Sequence, residues 1–275
     1  MDVFQQKTKI LQYETVQEFL RDFTFQKKDY ILASRSIYEA FFRDSTGRAS
    51  IAFHSDYGQG EPDDRMLDAM LKDMREKQPE RIIAIGGGSV IDCAKLFVLE
   101  GSASAEDMFL HRCTPEKSRE LIAIPTTCGS GSEVSRISIC ELTSLHTKLG
   151  LAVDALYPDQ AVLIPELLSK LPFFYFVTSG IDALIHASES FVSPKSNAYT
   201  RMFSAEAIRL LLHGFQVIAK EGEDARMRLL GDFMQASNFA GIAFGNTGTG
   251  AVHALSYPLS GIYHVTHGEA KDRKS

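Results

Sequence analysis

An aspartate and a histidine four residues apart are the side chains in this sequence with the clearest chemical potential. Asp182 and His186 lie in the apolar segment 180–187. Positions i and i+4 share one face of a helix, so the carboxylate and the imidazole can converge on one point. If both are buried they need partners, and a cation satisfies both. An isolated pair of this kind is more often a surface or capping pair, so further ligands must come from elsewhere.

Two later histidines are the further candidate ligands. His253 begins another apolar segment, and His267 follows in a glycine- and histidine-rich stretch. One oxygen ligand with up to three nitrogen ligands suits a divalent ion such as Fe(II) or Zn(II). The residue types therefore favour a divalent metal site.

A glycine run, Gly86, Gly87 and Gly88 followed by Ser89, separates a predicted strand from a predicted helix. Glycine lets the backbone approach a pyrophosphate, and the N–H groups at a helix start attract anions. The spacing matches neither the usual dinucleotide fingerprint nor a P-loop. The alternative interpretation is a plain turn with Ser89 as N-cap and Asp92 as its capping-box partner.

A second loop, 124–135, also follows a predicted strand and carries the hydroxyls of Thr126, Thr127 and Ser130. Ligands of open α/β sheets bind at the carboxyl ends of parallel strands, where two such loops would meet. The alternative is a polar turn capped by Ser132 or Glu133. A nucleotide cofactor beside a metal indicates metal-dependent redox chemistry.

Bulk properties narrow the class of protein. The chain has 275 residues, 44% of them hydrophobic and 23% charged, as in an ordinary globular protein. A net charge of −6 without a basic stripe argues against nucleic acid as a partner. We predict no membrane span and no signal peptide. The four cysteines lack Cys-x-x-Cys spacing, which favours reduced thiols and the cytoplasm.

The apolar pattern divides the chain near Pro165. Before it, strand and helix signals alternate, which predicts a parallel sheet covered by helices on both faces. After it, helical periodicity replaces the strand signals. We therefore predict an α/β dinucleotide-binding domain at 1–165 and an all-helical domain at 166–275. Predicted strands are 30–33, 51–53, 81–85, 121–124, 149–153 and 160–164; predicted helices include 36–42, 63–77, 178–192, 197–219, 224–243 and 251–259.

Several motifs, in order, resemble those of the iron-containing (group III) alcohol dehydrogenases. They are 86–95, 125–134, 182–187, 253–259 and 267–268, within a match from about 30 to 269. The segments 245–248 and 263–270 look most like the 4-hydroxybutyrate dehydrogenase branch. The fold implied is a dehydroquinate synthase-like one, with a nucleotide-binding α/β domain, a helical domain and a metal in the cleft between them.

The resemblance also implies roles for single residues. The metal ligands would be Asp182, His186, His253 and His267. Gly86, Gly87, Gly88 and Ser89 would hold the pyrophosphate of NAD, with Asp92 nearby. Nicotinamide and ribose would lie against Thr126, Thr127, Ser130 and Lys148. The implied protein is an alcohol dehydrogenase acting on a small alcohol, aldehyde or hydroxy acid, as a homodimer or higher homo-oligomer.

Three departures from the family pattern affect these expectations. Tyr257 stands where many members have a histidine that assists proton movement, which makes Tyr257 and His267 the catalytic candidates. The acid that often ends the second strand and favours NAD is missing; Ser34 tolerates a 2′-phosphate and Arg35 can bind it, so NADP is a second candidate. Family chains continue past the last metal histidine, so we expect a truncated, incomplete helical domain.

Two other functions compete with an active dehydrogenase. The first is an inactive remnant that binds nucleotide alone, which the early chain end favours. The second is a lyase of the dehydroquinate synthase type, which uses NAD and metal on a similar architecture. The motif around Asp182 and His186 looks more like that of the dehydrogenases.

Overall fold

The computed structural model describes residues 3–58 and 60–253, and its largest element is a six-stranded sheet in which every neighbouring pair is parallel. The strand order is β1-β8-β5-β4-β2-β3. Helices cover both faces of such a sheet, which is why β2, β4 and β5 are apolar and buried along almost their whole length. The strands are β1 Lys9–Gln12, β2 Asp29–Ala33, β3 Ser50–Phe53, β4 Arg81–Gly86, β5 Glu120–Pro125 and β8 Gln160–Leu163.

Eight α-helices are described, five beside the sheet and three after it. One core contains Met70 and Phe97, and another contains Phe19 and Phe42. The first five helices are α1 Val16–Asp22, α2 Arg35–Phe41, α3 Asp64–Lys77, α4 Gly88–Phe97 and α5 Ala105–Phe109; the last three are α6 Phe173–Val192, α7 Ala198–Glu221 and α8 Leu230–Thr247.

An antiparallel hairpin stands apart from the sheet. It pairs β6 Ile137–Leu142 with β7 Thr147–Ala152. The strand predicted at 149–153 is therefore β7, and it does not extend the parallel sheet. β6 was not predicted, because its buried and half-exposed residues alternate through polar positions and its stability comes from its partner strand.

The helical region begins and divides differently from the prediction. α6 starts at Phe173, before the predicted 178, and a 3-10 segment, Glu223–Arg228, occupies the start of the helix predicted at 224–243. Gly222, with φ of 95°, separates α7 from that segment. The predicted helix 251–259 lies within the described residues only as far as His253. The division at residue 165 stays a prediction.

One helix has the length and composition that a membrane span needs. α7 is apolar and long enough by length and composition alone. It packs against both α6 and α8, and its buried face includes Leu211 and Ile218. A helix that packs in the core of a helical domain can have the same length and apolar composition.

Candidate active site between the sheet and the helical region

Three of the four predicted metal ligands meet in the structure. Asp182 and His186 project from one face of α6, and His253 approaches them from the chain after α8. The Asp182 Oδ1 atom lies 3.8 Å from His186 Nδ1 and 3.9 Å from His253 Nε2. All three side chains are buried. The fourth predicted ligand, His267, lies outside the described residues.

This donor set fits a divalent ion. One ligand atom from each residue lies within 4.8 Å of the others. A carboxylate and two imidazoles, buried together, match the mixed oxygen and nitrogen ligation of Fe(II) and Zn(II) sites. Burying a carboxylate is costly without a compensating cation or hydrogen bonds.

The imidazole of His186 is held from two directions. Its Nδ1 is 3.2 Å from the carbonyl oxygen of Gly129, which can only accept, so Nδ1 carries the hydrogen. Its ring stacks between Phe244 and His253, each with a centroid separation of 4.3 Å. A Cβ on Gly129 would lie 2.7 Å from the Ser179 carbonyl oxygen, so glycine is needed for the loop to reach α6. The loop after β5 therefore contacts the candidate metal ligand His186 directly.

The glycine run opens α4 without a capping side chain. Gly87 is the N-cap, and Ser89 lies inside the first turn of the helix. Asp92 accepts from Ile139 N at 3.1 Å and contacts Ser132. The capping roles expected for Ser89 and Asp92 in the plain-turn interpretation are therefore wrong. The first N–H groups of α4 remain available to an anion.

The loop after β5 lies directly beside that helix start. Thr126 is buried, and its N–H donates to the Gly86 carbonyl oxygen at 3.0 Å. A Cβ on Gly88 would lie 2.7 Å from Ser130 Cβ, so the two loops touch where glycine is found. The alternative of a turn capped by Ser132 or Glu133 is also wrong, because Gly131 precedes the 3-10 turn there with no side-chain cap.

A buried lysine ties α4 to the hairpin and to the second loop. The ammonium of Lys95 is fully buried and donates to Ser132 Oγ at 2.7 Å, Ser135 Oγ at 3.2 Å and the Ile137 carbonyl oxygen at 2.5 Å. Asp92 Oδ1 lies 3.3 Å away. Burial lowers the pKa of Lys95, and the neighbouring Asp92 carboxylate opposes that effect.

A second buried polar contact joins the two halves of the chain. Asn238 of α8 donates from Nδ2 to Glu133 Oε1 at 2.9 Å. Burial raises the pKa of Glu133, although Asn238 and the Lys95 charge act against it. The contact spans the sheet region and the helical region.

One cavity of about 470 Å³ connects the candidate metal and nucleotide sites. Six predicted cofactor residues line it, and so do the three clustered metal candidates. Lys148, one of the six, is paired there with Glu61 and is almost wholly buried. Gly86, Gly87 and Thr126 do not line the cavity but shape the backbone behind it. The six are Gly88, Ser89, Asp92, Thr127, Ser130 and Lys148.

The end of the second strand lacks the acidic residue that often selects NAD in this family. Ala33 ends β2, and Ser34 is the N-cap of α2. The Arg35 guanidinium pairs with Asp56 and lies 4.0 Å from the centroid of the Phe53 ring. Arg35 thus stands beside the carboxyl ends of β2 and β3.

Sequence reasoning missed Glu189, which contacts His253 through Nδ1 at 2.6 Å. The available signal was its spacing, since Asp182, His186 and Glu189 fall at i, i+4 and i+7 on one helix face. It also missed Lys95 and the contact between Glu133 and Asn238, which depend on tertiary packing. The catalytic candidates Tyr257 and His267 lie outside the described residues.

Comparison with known proteins agrees with this architecture. Residues 8–165 match the family described as iron-containing alcohol dehydrogenase, and residues 176–272 match the C-terminal part of the Fe-containing alcohol dehydrogenase family. The 4-hydroxybutyrate dehydrogenase of Clostridium kluyveri is 48% identical over 261 residues, which cover 95% of this chain and 70% of that protein. Long-chain-alcohol dehydrogenase 1 of Geobacillus thermodenitrificans is 37% identical, and the match covers 71% of this chain and 50% of that protein.

Solved structures show the same fold. Sulfoacetaldehyde reductase from Bifidobacterium kashiwanohense, in complex with NAD+, superimposes with a TM-score of 0.83 at 25% identity, covering 98% of this chain and 73% of that one. A 1,3-propanediol oxidoreductase gives a TM-score of 0.82 at 24% identity, covering 98% and 72%. The predicted fold class is confirmed, and the chain belongs to the iron-containing alcohol dehydrogenase family.

Proposed function

We propose that this protein is an NAD-dependent, metal-dependent dehydrogenase that interconverts 4-hydroxybutyrate and succinate semialdehyde. The observation that carries the proposal is the shared cavity, which Asp182, His186 and His253 line together with the two loops after β4 and β5. The choice of substrate is supported by the similarity to the Clostridium kluyveri enzyme named for it. The choice of NAD is supported by the similarity to the NAD+-bound reductase.

We assign different residues of the cavity to the metal and to the parts of the cofactor. We assign the metal to Asp182, His186 and His253, with His267 as a fourth ligand. The N–H groups of α4 at Gly88 and Ser89 would bind the pyrophosphate, because a helix start carries partial positive charge. Thr127 and Ser130 offer hydroxyls to the nicotinamide and ribose, and Lys148 offers its ammonium to the ribose. Asp92 lies near the pyrophosphate, and Gly86, Gly87 and Thr126 shape the backbone behind the cavity.

The chemistry is alcohol oxidation and its reverse. A divalent ion, when bound, supplies Lewis acidity that lowers the pKa of the substrate hydroxyl. Nicotinamide supplies the hydride acceptor. The chain's own residues line one cavity in which these partners would meet, and that would fix their orientation. Tyr257 is our candidate for moving the proton.

The assay is NADH formation at 340 nm from 4-hydroxybutyrate, with protein loaded with Fe(II) or Zn(II). Turnover is expected with wild-type protein and a loss of at least about a hundredfold with Asp182→Asn, because the only acidic ligand is removed. Ethanol and 1-propanol are the comparison substrates. A folded, metal-loaded sample that oxidises none of them would overturn the proposal. Calorimetric binding of NADH without metal uptake would identify a nucleotide-binding remnant instead.

The setting and assembly are also proposals. The four cysteines are free thiols in the structure, which fits the reducing cytoplasm. A homodimer or higher homo-oligomer remains a prediction, and light scattering of the purified protein would test it.

A further inference from the structure

A carboxylate outside the ligand set is bonded to one of the candidate ligands. Glu189 lies on α6, on the face that carries Asp182 and His186, and its side chain is only 9% exposed. Its Oε2 lies 2.6 Å from Nδ1 of His253. On the opposite side of that ring, Nε2 faces Asp182 Oδ1 at 3.9 Å. The imidazole therefore bridges Glu189 and the proposed metal site.

The same carboxylate also holds the backbone that carries His253. Gly250 N donates to Oε2 at 2.8 Å, and Val252 N donates to Oε1 at 2.6 Å. Residues 251–253 form a helical turn, so these donors belong to a helix start that has no intrahelical acceptor for them. A Cβ on Gly250 would lie 2.9 Å from Glu189 Oε1, so glycine makes room for the carboxylate.

Every group that Glu189 contacts here is a donor if Nδ1 of His253 carries the hydrogen. An ionised carboxylate accepts only, so it favours this tautomer and leaves the lone pair on Nε2.

We infer that Glu189 is a positioning residue of the metal site: it fixes the Nδ1–H tautomer and the orientation of His253, so that Nε2 is the nitrogen presented to the ion. The inference rests on the metal site of the proposed function and adds a residue to it. Carboxylates that orient ligating histidines are worth about 10- to 100-fold in metal affinity. Glu189 makes no bond to the ion or the substrate in this assignment.

Zn(II) affinity, measured by chelator competition, is the first test. Glu189→Leu removes all three acceptor contacts and is expected to weaken Zn(II) binding about 100-fold. In Glu189→Gln the amide NH2 faces at least one of the three donors in either orientation, and Zn(II) binding is expected to weaken about 10-fold. NADH affinity of the metal-free variants should stay at the value of the metal-free wild type, which a general loss of structure would not allow. Glu206→Gln, an exposed carboxylate on α7, is the matched control and should change neither.

Two further measurements separate the outcomes. Co(II)-loaded Glu189→Gln should show altered d–d absorption bands, since the geometry around His253 changes. In the metal-free wild-type protein, ¹⁵N–¹H correlation of the histidine side chains, assigned with His253→Asn, should show the Nδ1–H tautomer, and this needs no Glu189 variant to fold. An Nε2–H tautomer, or a folded Glu189→Leu with wild-type Zn(II) affinity, overturns the inference while leaving the metal site intact. Zn(II) binding that Asp182→Asn does not weaken would instead reject the site itself.

Discussion

Gly131 and Gly241 touch through their backbones, one in the loop after β5 and the other in α8. A Cβ on Gly241 would lie 2.7 Å from the Gly131 Cα and 2.8 Å from its carbonyl oxygen. Gly131 has φ of 58°, a left-handed conformation that favours glycine. The sheet region and the helical region therefore meet at a point where neither residue can carry a side chain.

Gly241→Ala is expected to lower the free energy of unfolding by about 1–3 kcal/mol, because the added methyl meets backbone that must shift. Thermal unfolding followed by circular dichroism measures the change. Gly231→Ala is the matched control in the same helix, since its Cβ would meet nothing closer than 4.0 Å. Equal melting temperatures for the two variants would show that the close approach is not needed.

Gly88→Ala is expected to weaken NADH binding about tenfold, close to 1.4 kcal/mol. The new Cβ would lie 2.7 Å from Ser130 Cβ and 2.9 Å from Ser130 Oγ, so the backbone of the loop that places Ser130 in the cavity must shift. Isothermal calorimetry gives the dissociation constant, with Gly231→Ala as the comparison. Unchanged NADH affinity would place the nucleotide elsewhere.

Arg35→Ala is expected to reduce kcat/KM with NADP+ about tenfold and to leave NAD+ almost unaffected. A 2′-phosphate beside the end of β2 gains a charge-assisted contact from this guanidinium, and no acid ends the strand to repel it. The exposed Arg43 supplies the control, Arg43→Ala. Parallel losses with both cofactors would contradict a role in reading the 2′-phosphate.

Glu133→Gln is expected to become more stable relative to wild type as pH rises from about 5 to 7. Burial raises the folded-state pKa of Glu133, so its contribution is complete below the unfolded pKa and is lost as pH rises toward the folded one. Inside that window the slope is at most about 1.4 kcal/mol per pH unit. Glutamine does not titrate, so its contribution to the free energy of unfolding does not change with pH.

Denaturant unfolding at several pH values measures this difference. The exposed Glu76 of α3 provides the control variant, Glu76→Gln, which should show no such trend. A difference between Glu133→Gln and wild type that does not change with pH would mean that Glu133 is ionised in the folded protein throughout the range.

Most of the sheet could be predicted because its signal is local. The strands β4 and β5 are short apolar runs, and each ends in a glycine- or hydroxyl-rich loop. β1 could not be predicted, since its residues are largely exposed at the sheet edge and only the pairing with β8 makes it a strand. The short helix α5 gave too few turns for a periodic pattern.

The parts of the site that lie within one element could likewise be predicted from local sequence. Asp182 and His186 are neighbours on one helix, so their convergence follows from helix geometry. The contact between Gly129 and His186, and that between Glu133 and Asn238, join residues far apart in the chain. Such contacts arise only from the packing of α6 and α8 against the sheet region. Periodicity within one segment carries no information about them.

The carbonyl of Gly129 belongs to the same loop that contributes Thr127 and Ser130 to the cavity, yet it receives the hydrogen of His186. A ligand that restrains this loop from one side therefore lessens the ordering left for a ligand on the other side. If the ion and the dinucleotide bind as proposed, the ion would raise the affinity for the dinucleotide by the same factor as the dinucleotide raises the affinity for the ion. The ion and the dinucleotide would then act as effectors of each other without contacting the same protein atom.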